Sequence, residues 1–311
     1  MTTWLVITRA VHFGACLFLF GLHAFECFVA SSLVRRESAI GAYWKTRPGR
    51  FNLVLLPVVF VSGTAWFVLV AMTMSGQQFQ MDILKIVWTQ TEFGTVWKIR
   101  LLLFLMATIA AGVFCFLKSY TTLRSLLLWF QLVVNGCLLG SLAWAGHGQE
   151  SSHWHLFADV LHLLGAGVWP AGLLPMFLLL RKSRRLAVAS DWLFMAALVS
   201  RFSAISLAAV SLLTATGLVN SWFLVGSVAD LFSQPYGRWL LAKIIFFGAA
   251  VAIASVNLSR LKPRMHVESS QPERAGATVA QLQTNVQSEL FLGLAIVIIV
   301  AILGILPPAI H

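Results

Sequence analysis

The sequence predicts an all-α, polytopic membrane bundle of eight transmembrane helices with both termini on the periplasmic side. Three observations lead there. Of 311 residues, 59% are hydrophobic and only 11% are charged, where a soluble globular domain carries about 25% charged residues. The apolar runs are long and lack the ten-residue alternation of a membrane barrel, which leaves helices as the way to satisfy the backbone in lipid. Finally, Lys and Arg gather on alternate connections, as cations that resist translocation do.

Runs of about 20 residues or more, enough to cross a hydrocarbon core of about 30 Å, fall at 4–30, 51–74, 98–117, 123–144, 154–180, 203–225, 238–258 and 288–307. They form a single integral-membrane domain. The first run is longer than a signal-peptide core and precedes no A-x-A-like cleavage site, so it is expected to stay in the mature chain. Arg35, Arg36, Lys45, Arg47 and Arg50 follow the first run, and Lys118 and Arg124 the third. Arg181, Lys182, Arg184, Arg185 and Arg201 follow the fifth, and Arg260, Lys262, Arg264 and Arg274 the seventh. These connections are therefore expected in the cytoplasm, which makes the +11 net charge a matter of topology rather than of nucleic-acid binding. Arg9, Lys85, Lys98, Arg100, Arg238 and Lys243 lie on the other connections or at helix ends.

Residues 75–97 alternate polar with apolar side chains (MDILKIVW) and read as an amphipathic segment on the outer surface. Residues 264–288, polar and holding Pro272 and Gly276, read as a flexible cytoplasmic loop. No internal repeat or soluble domain is evident in the sequence. Neither G-x-S-x-G, Walker A, GxGxxG nor HExxH occurs in a supporting context, so no enzyme is predicted. The four cysteines, Cys16, Cys27, Cys115 and Cys137, form no CxxC pair.

An ionisable group inside a span costs about 2.5–3.5 kcal/mol on insertion scales, so it faces the bundle interior and marks function. At 100° per residue, Arg9, His12, Cys16, His23, Glu26 and Cys27 share one stripe about 100° wide on the first helix. His12 and Glu26 stand about 21 Å apart along its axis, too far for one site but suited to a ladder of sites. Any one of them, taken alone, is as readily a packed or hydrogen-bonded core residue. His155, Asp159 and His162 line up on the fifth helix in the same way. His12 and His162 are expected to meet at one depth in the outer third of the bundle, with Asp159 accepting the second N–H of His162 to fix its tautomer.

Further donors map to the outer side: His147, the His153-Trp154-His155 run and the Met72-Thr73-Met74 run. For the Met pair the competing interpretation is apolar packing, and for the His pair a solvated loop. Imidazole with thioether is a copper ligand set, Met favouring Cu(I) and His accepting either state. Glu289 is expected to open the last helix near the cytoplasm, where a carboxylate complements the helix dipole. Arg238 and Tyr236 are expected in the interfacial belt, and Ser206, Gly217 and Asn220 to serve close helix contact. A b-type haem cytochrome and a copper sensor or scaffold that transports nothing are the alternatives.

The segment HGQESSHWHLFADVLHLLGAGVWPAGLLP (147–175) resembles the signature of the copper resistance protein D family: an outer His, D-x-x-H-L, then Trp and L-L-P. RAVHFGACLFLFG resembles its first helix and TEFGTVWKIR its segment before the third. RFSAISLAAVSLLTATGLVNSW with PYGRWLLAK resembles its sixth and seventh helices, and SELFLGLAIVIIVAILGILPPAIH its last. Pro170-Ala171-Gly172 departs from the usual W-x-G-G. The resemblance implies an eight-helix bacterial inner-membrane protein that receives copper from a periplasmic copper-binding protein and moves it toward the cytoplasm. It carries over His12, His147, Asp159, His162 and Trp169. The expected copper ligands are thus His12, His162, Asp159, His147, His153, His155, Met72 and Met74, with Cys16, His23, Glu26 and Cys27 as an inner path.

Overall fold

The computed structural model describes residues 2–31, 38–76, 79–116, 122–145, 152–186, 189–225, 227–268 and 272–309, and among them there is no strand. Eight helices are long and apolar enough to cross a membrane: Thr2–Ala30 (span 1), Ala39–Ser75 (span 2), Glu92–Phe116 (span 3), Thr122–Trp144 (span 4), His153–Leu186 (span 5), Trp192–Leu224 (span 6), Pro235–Glu268 (span 7) and Arg274–Leu303 (span 8). Their outward faces carry large apolar side chains in the open, such as Leu53, Phe116 and Trp222, as expected of surfaces that meet acyl chains rather than water.

The amphipathic stretch folds as the helix Met81–Gln90, which packs on spans 2 and 3. The expected cytoplasmic loop is a correction. Residues 262–268 and 272–303 are helical, and Ala275, Val279, Leu282 and Val286 are buried. Those four recur at helical spacing, an apolar stripe that the Gln, Thr and Asn between them hide from a composition scan. Span 8 therefore begins far upstream of residue 288, and Glu289 sits more than four turns into its helix, with 2% of its surface exposed. It caps no helix N-terminus.

The spans close into two rings of four. Spans 1 and 2, 2 and 3, 3 and 4, and 4 and 1 pack together; so do spans 5 and 6, 6 and 7, 7 and 8, and 8 and 5. Spans 1 and 5 touch at the centre, flanked by contacts of span 1 with span 8 and of span 4 with span 5. Each contact in one half thus has its counterpart in the other, as in a parallel repeat of two four-helix units. The sequence hides this repeat because lipid-facing positions need only be apolar, so the matching residues are few and widely spaced.

Those few are specific. In span 3, Phe93-Gly94 precedes Arg100; in span 7, Tyr236-Gly237 precedes Lys243, with the same interval between glycine and cation. A Cβ on Gly94 would strike the carbonyl oxygens of Val87 and Trp88 in the Met81–Gln90 helix. One on Gly237 would strike the Asp230 carbonyl in the short helix Asp230–Ser233. Both glycines let a short helix seat against the start of a span, at positions where any side chain is excluded.

Candidate intramembrane ligand sites

In each half, one histidine faces into the ring, and its hydrogen bonds fix its tautomer. His12 Nδ1 lies 3.1 Å from Ser62 Oγ on span 2, and that hydroxyl donates to the Val58 carbonyl at 2.5 Å. The hydroxyl's lone pair therefore accepts from Nδ1–H. At the other side of the ring, Arg100 Nη2 approaches Nε2 at 2.6 Å. Guanidinium can only donate, so Nε2 carries the bare lone pair. Arg100 is held in turn by the Leu138 carbonyl at 3.0 Å and by Ser141 Oγ at 2.5 Å. Cys16 Sγ stands 3.8 Å from the same Nε2, and Trp66 and Trp97 close over the ring at centroid distances of 5.5 and 6.0 Å.

His162 repeats the pattern in the second half. Its Nδ1 is 2.9 Å from Thr216 Oγ1 on span 6, a hydroxyl that itself donates to the Leu212 carbonyl at 2.7 Å. Nδ1–H is again the donor. Lys243 Nζ, also a pure donor, lies 3.5 Å from Nε2. Gly63, next to Ser62, and Gly217, next to Thr216, both lie flush against the imidazole: a Cβ would sit 2.9 Å from His12 Cε1 and 3.5 Å from His162 Cε1.

The surroundings differ. His162 opens onto a cavity of about 200 Å³ whose polar lining is Arg9, Asp159, Asn220, Tyr236 and Lys243. Asp159 does not orient His162 as expected; it accepts from Asn220 Nδ2 at 2.5 Å, and Thr216 takes the orienting role. Arg9 reaches the Gly304 carbonyl at 3.1 Å. Tyr236 is buried at the cavity rather than standing in an interfacial belt. Arg238 does lie at a helix end, bonding the Phe232 and Ser233 carbonyls at 2.9 and 3.3 Å.

A third imidazole lies deeper on span 1. His23 Nδ1 is 2.8 Å from the Leu19 carbonyl, an obligate acceptor, which leaves Nε2 as the lone-pair nitrogen. Gln131 and Asn135 flank the ring: the Gln131 side chain bonds the imidazole, and Asn135 Nδ2 stands 3.3 Å from Nδ1. All three side chains are at most 2% exposed. One helical step further, Glu26 accepts from the Trp44 indole, and Cys27 is half-buried.

The expected site residues are therefore distributed rather than gathered. Spans 1 and 5 are neighbours, but His12 turns toward spans 2 and 3 while His162 turns toward spans 6 and 7, and span 1 shows Arg9, Phe13, Gly14, Leu17 and Phe18, not His12, to the His162 cavity. Among the described residues no three His, Cys, Asp or Glu side chains stand close enough to hold a metal ion together. His155 is buried and stacked on Phe223 at 5.0 Å, whereas His153 and Met74 are exposed and Met72 is half-buried. His147 lies outside the described residues. The sequence reading missed Arg100 and Lys243, taken as helix-end cations, and their hydroxyl counterparts Ser62 and Thr216. The paired aromatic-Gly motifs with a cation six residues on were the available signal.

Comparisons with known proteins agree with the two-part build. Residues 1–154 match the family described as copper resistance protein D-like, N-terminal domain, and residues 196–303 match copper resistance protein D. Copper resistance protein D of Pseudomonas syringae pv. tomato is 30% identical, over 97% of this chain and 96% of its own. The copper transport protein CutJ of Bacillus subtilis (strain 168) is 26% identical over 75% of this chain and 40% of its own. The inner membrane protein YebZ of Escherichia coli (strain K12) is 26% identical over 98% of both. No solved structure matches significantly. A multi-pass bundle with intramembrane imidazoles, matched from end to end by such a relative, belongs to the copper resistance protein D family.

Proposed function

We propose that the chain takes copper at the periplasmic end, where both termini lie, and passes it through the inner membrane toward the cytoplasm. The observation that carries this reading is the shared state of three buried imidazoles. His12, His23 and His162 each tie Nδ1–H to an oxygen and turn the Nε2 lone pair inward. Neutral imidazole with one nitrogen fixed by an oxygen acceptor is how a metal-ligating histidine is prepared, and copper is the metal that accepts imidazole, thiol and thioether together.

In this reading a periplasmic copper-binding protein delivers the ion near His147, His153 and Met74. It enters the cavity at His162 and Asp159. His12 with Cys16, and then His23, Glu26 and Cys27, provide the onward ligands. The ion is cargo and needs no permanent cage of three ligands. A monovalent cation moving into a negative cytoplasm gains about 2.3 kcal/mol per 100 mV, which drives entry without ATP.

The test is copper uptake into vesicles reconstituted with the full chain, under an imposed inside-negative potential. Uptake by the unaltered chain and its loss in the double variant His12→Ala, His162→Ala support the reading. Undiminished uptake by that variant overturns the site, absence of uptake by the unaltered chain overturns transport, and a Soret band at stoichiometric haem replaces it with electron transfer.

A further inference from the structure

Away from the imidazoles, a second cavity of about 110 Å³ lies between spans 5, 6, 7 and 8, and one carboxyl group, Glu289, lies on it. Glu289 is 2% exposed. Its hydrogen-bond partners are neutral: Asn257 Nδ2 donates to Oε1 at 2.6 Å, and the Trp169 side chain bonds the same carboxyl group. Asn257 Oδ1 is already engaged by Asn285 Nδ2 at 2.7 Å. Besides Glu289, no titratable side chain lines this cavity. Asp159 differs in this respect, because it shares its cavity with Lys243 and Arg9.

A buried carboxylate without a cation is costly enough that such a group neutralises itself instead. Sodium, calcium or magnesium would need about six oxygens around it. Here two N–H groups already point at the carboxyl, and the best oxygen of Asn257 is taken. The other polar lining is hydroxyl: Ser203, Ser206 and Ser255. Ser206 Oγ is buried in a residue 9% exposed and has no hydrogen-bond partner. The rest of the lining is apolar, and a hydroxyl both donates and accepts, so these groups suit the relay of a proton better than the coordination of a metal. Asn257 also opens a π-helical turn, Asn257–Leu261, in span 7, a local widening that recurs at functional positions.

We infer that Glu289 is an intramembrane proton-binding site, loaded and unloaded through the cavity between spans 5 to 8 that Ser203, Ser206 and Ser255 border. The inference stands apart from the copper reading and is tested without copper. The full chain in lipid vesicles is treated with the apolar carboxyl reagent dicyclohexylcarbodiimide, which attacks protonated carboxyls in membranes, and the modified peptide is mapped by mass spectrometry. In parallel, the infrared band of protonated carboxyl groups is followed against pH. The expected result is modification of Glu289 on the acid side with its loss on the alkaline side, and a titrating infrared band that Glu289→Gln removes while Asp159→Asn and Glu26→Gln keep it. Glu289 unmodified at every pH, or modification blocked by sodium or cuprous ions at acid pH, overturns the proposal. The labelling uses the unaltered chain, so a variant that fails to fold does not protect the idea.

Discussion

The two halves of the bundle solve one problem with different tightness. Each sets a span-borne histidine between a back-bonded hydroxyl and a cation, with a glycine flush against the ring. In the first half the cation is a guanidinium 2.6 Å from Nε2, clamped by a carbonyl and a serine and lying over Trp97, while Trp66 and Trp97 close on the imidazole. In the second it is an ammonium at 3.5 Å, on the wall of an open cavity that also holds a carboxylate. A rigid planar fork with several fixed acceptors is hard to displace, whereas a flexible point charge yields. On the copper route proposed above, an incoming cation takes the place of Lys243 more readily than that of Arg100.

The largest effect expected from breaking this contrast is on loading. With His162→Ala, initial copper uptake into vesicles falls by about a hundredfold, the equivalent of about 2.7 kcal/mol; with His12→Ala, copper still reaches the cavity and about one ion per chain remains bound. Equal loss of binding in the two variants would erase the distinction. Stability should respond in the opposite sense. His12→Ala leaves Nη2 of the buried Arg100 without its acceptor while Nη1 keeps the Leu138 carbonyl and Ser141, at about 2 kcal/mol, a hydrogen bond to a charged group being worth about 1.5–3 kcal/mol. His162→Ala leaves Lys243 a carboxylate and a cavity to turn to, and costs about 1 kcal/mol. Thermal unfolding in a matched detergent measures both.

A smaller, symmetric effect checks that the halves share their scaffold. Gly94→Ala and Gly237→Ala each force a methyl into backbone carbonyls, and overpacking of this kind costs about 1–3 kcal/mol. The two changes should lower the unfolding temperature alike and increase proteolysis at residues 81–90 or 230–233 respectively. If only one half responds, the glycines are not equivalent.

Much of this architecture was legible in the chain. The eight apolar runs, the amphipathic segment and the inward stripe on span 1 follow from hydropathy and helical period alone, because lipid imposes both. The start of span 8 was not legible, since its first turns are buried against other helices by single apolar residues among Gln, Thr and Asn. Nor were Arg100 and Lys243. Cations close to a span's end ordinarily snorkel to the interface, and only the neighbouring rings show that these two point inward instead. Pairing His12 with His162 by depth was a reasonable use of helical rise, but depth does not give azimuth. The facing of each ring depends on which helices flank it, and a repeat of two four-helix rings assigns the two histidines to different neighbours.

The smallest effect is also the most discriminating. Thr216 holds His162 in the tautomer that exposes Nε2, and its counterpart at His12 is a serine. If the hydroxyl is what matters, Thr216→Ser should change stability by no more than about 0.5 kcal/mol and leave copper affinity where it is, because the first half already works with serine. Thr216→Val keeps the shape and removes the acceptor. It should cost about 1 kcal/mol and weaken copper binding at His162 by about tenfold, the low end for losing a group that orients a ligand. Serine and valine giving the same affinity would show that the residue only packs, and the parallel between the two histidines would lose its chemical content.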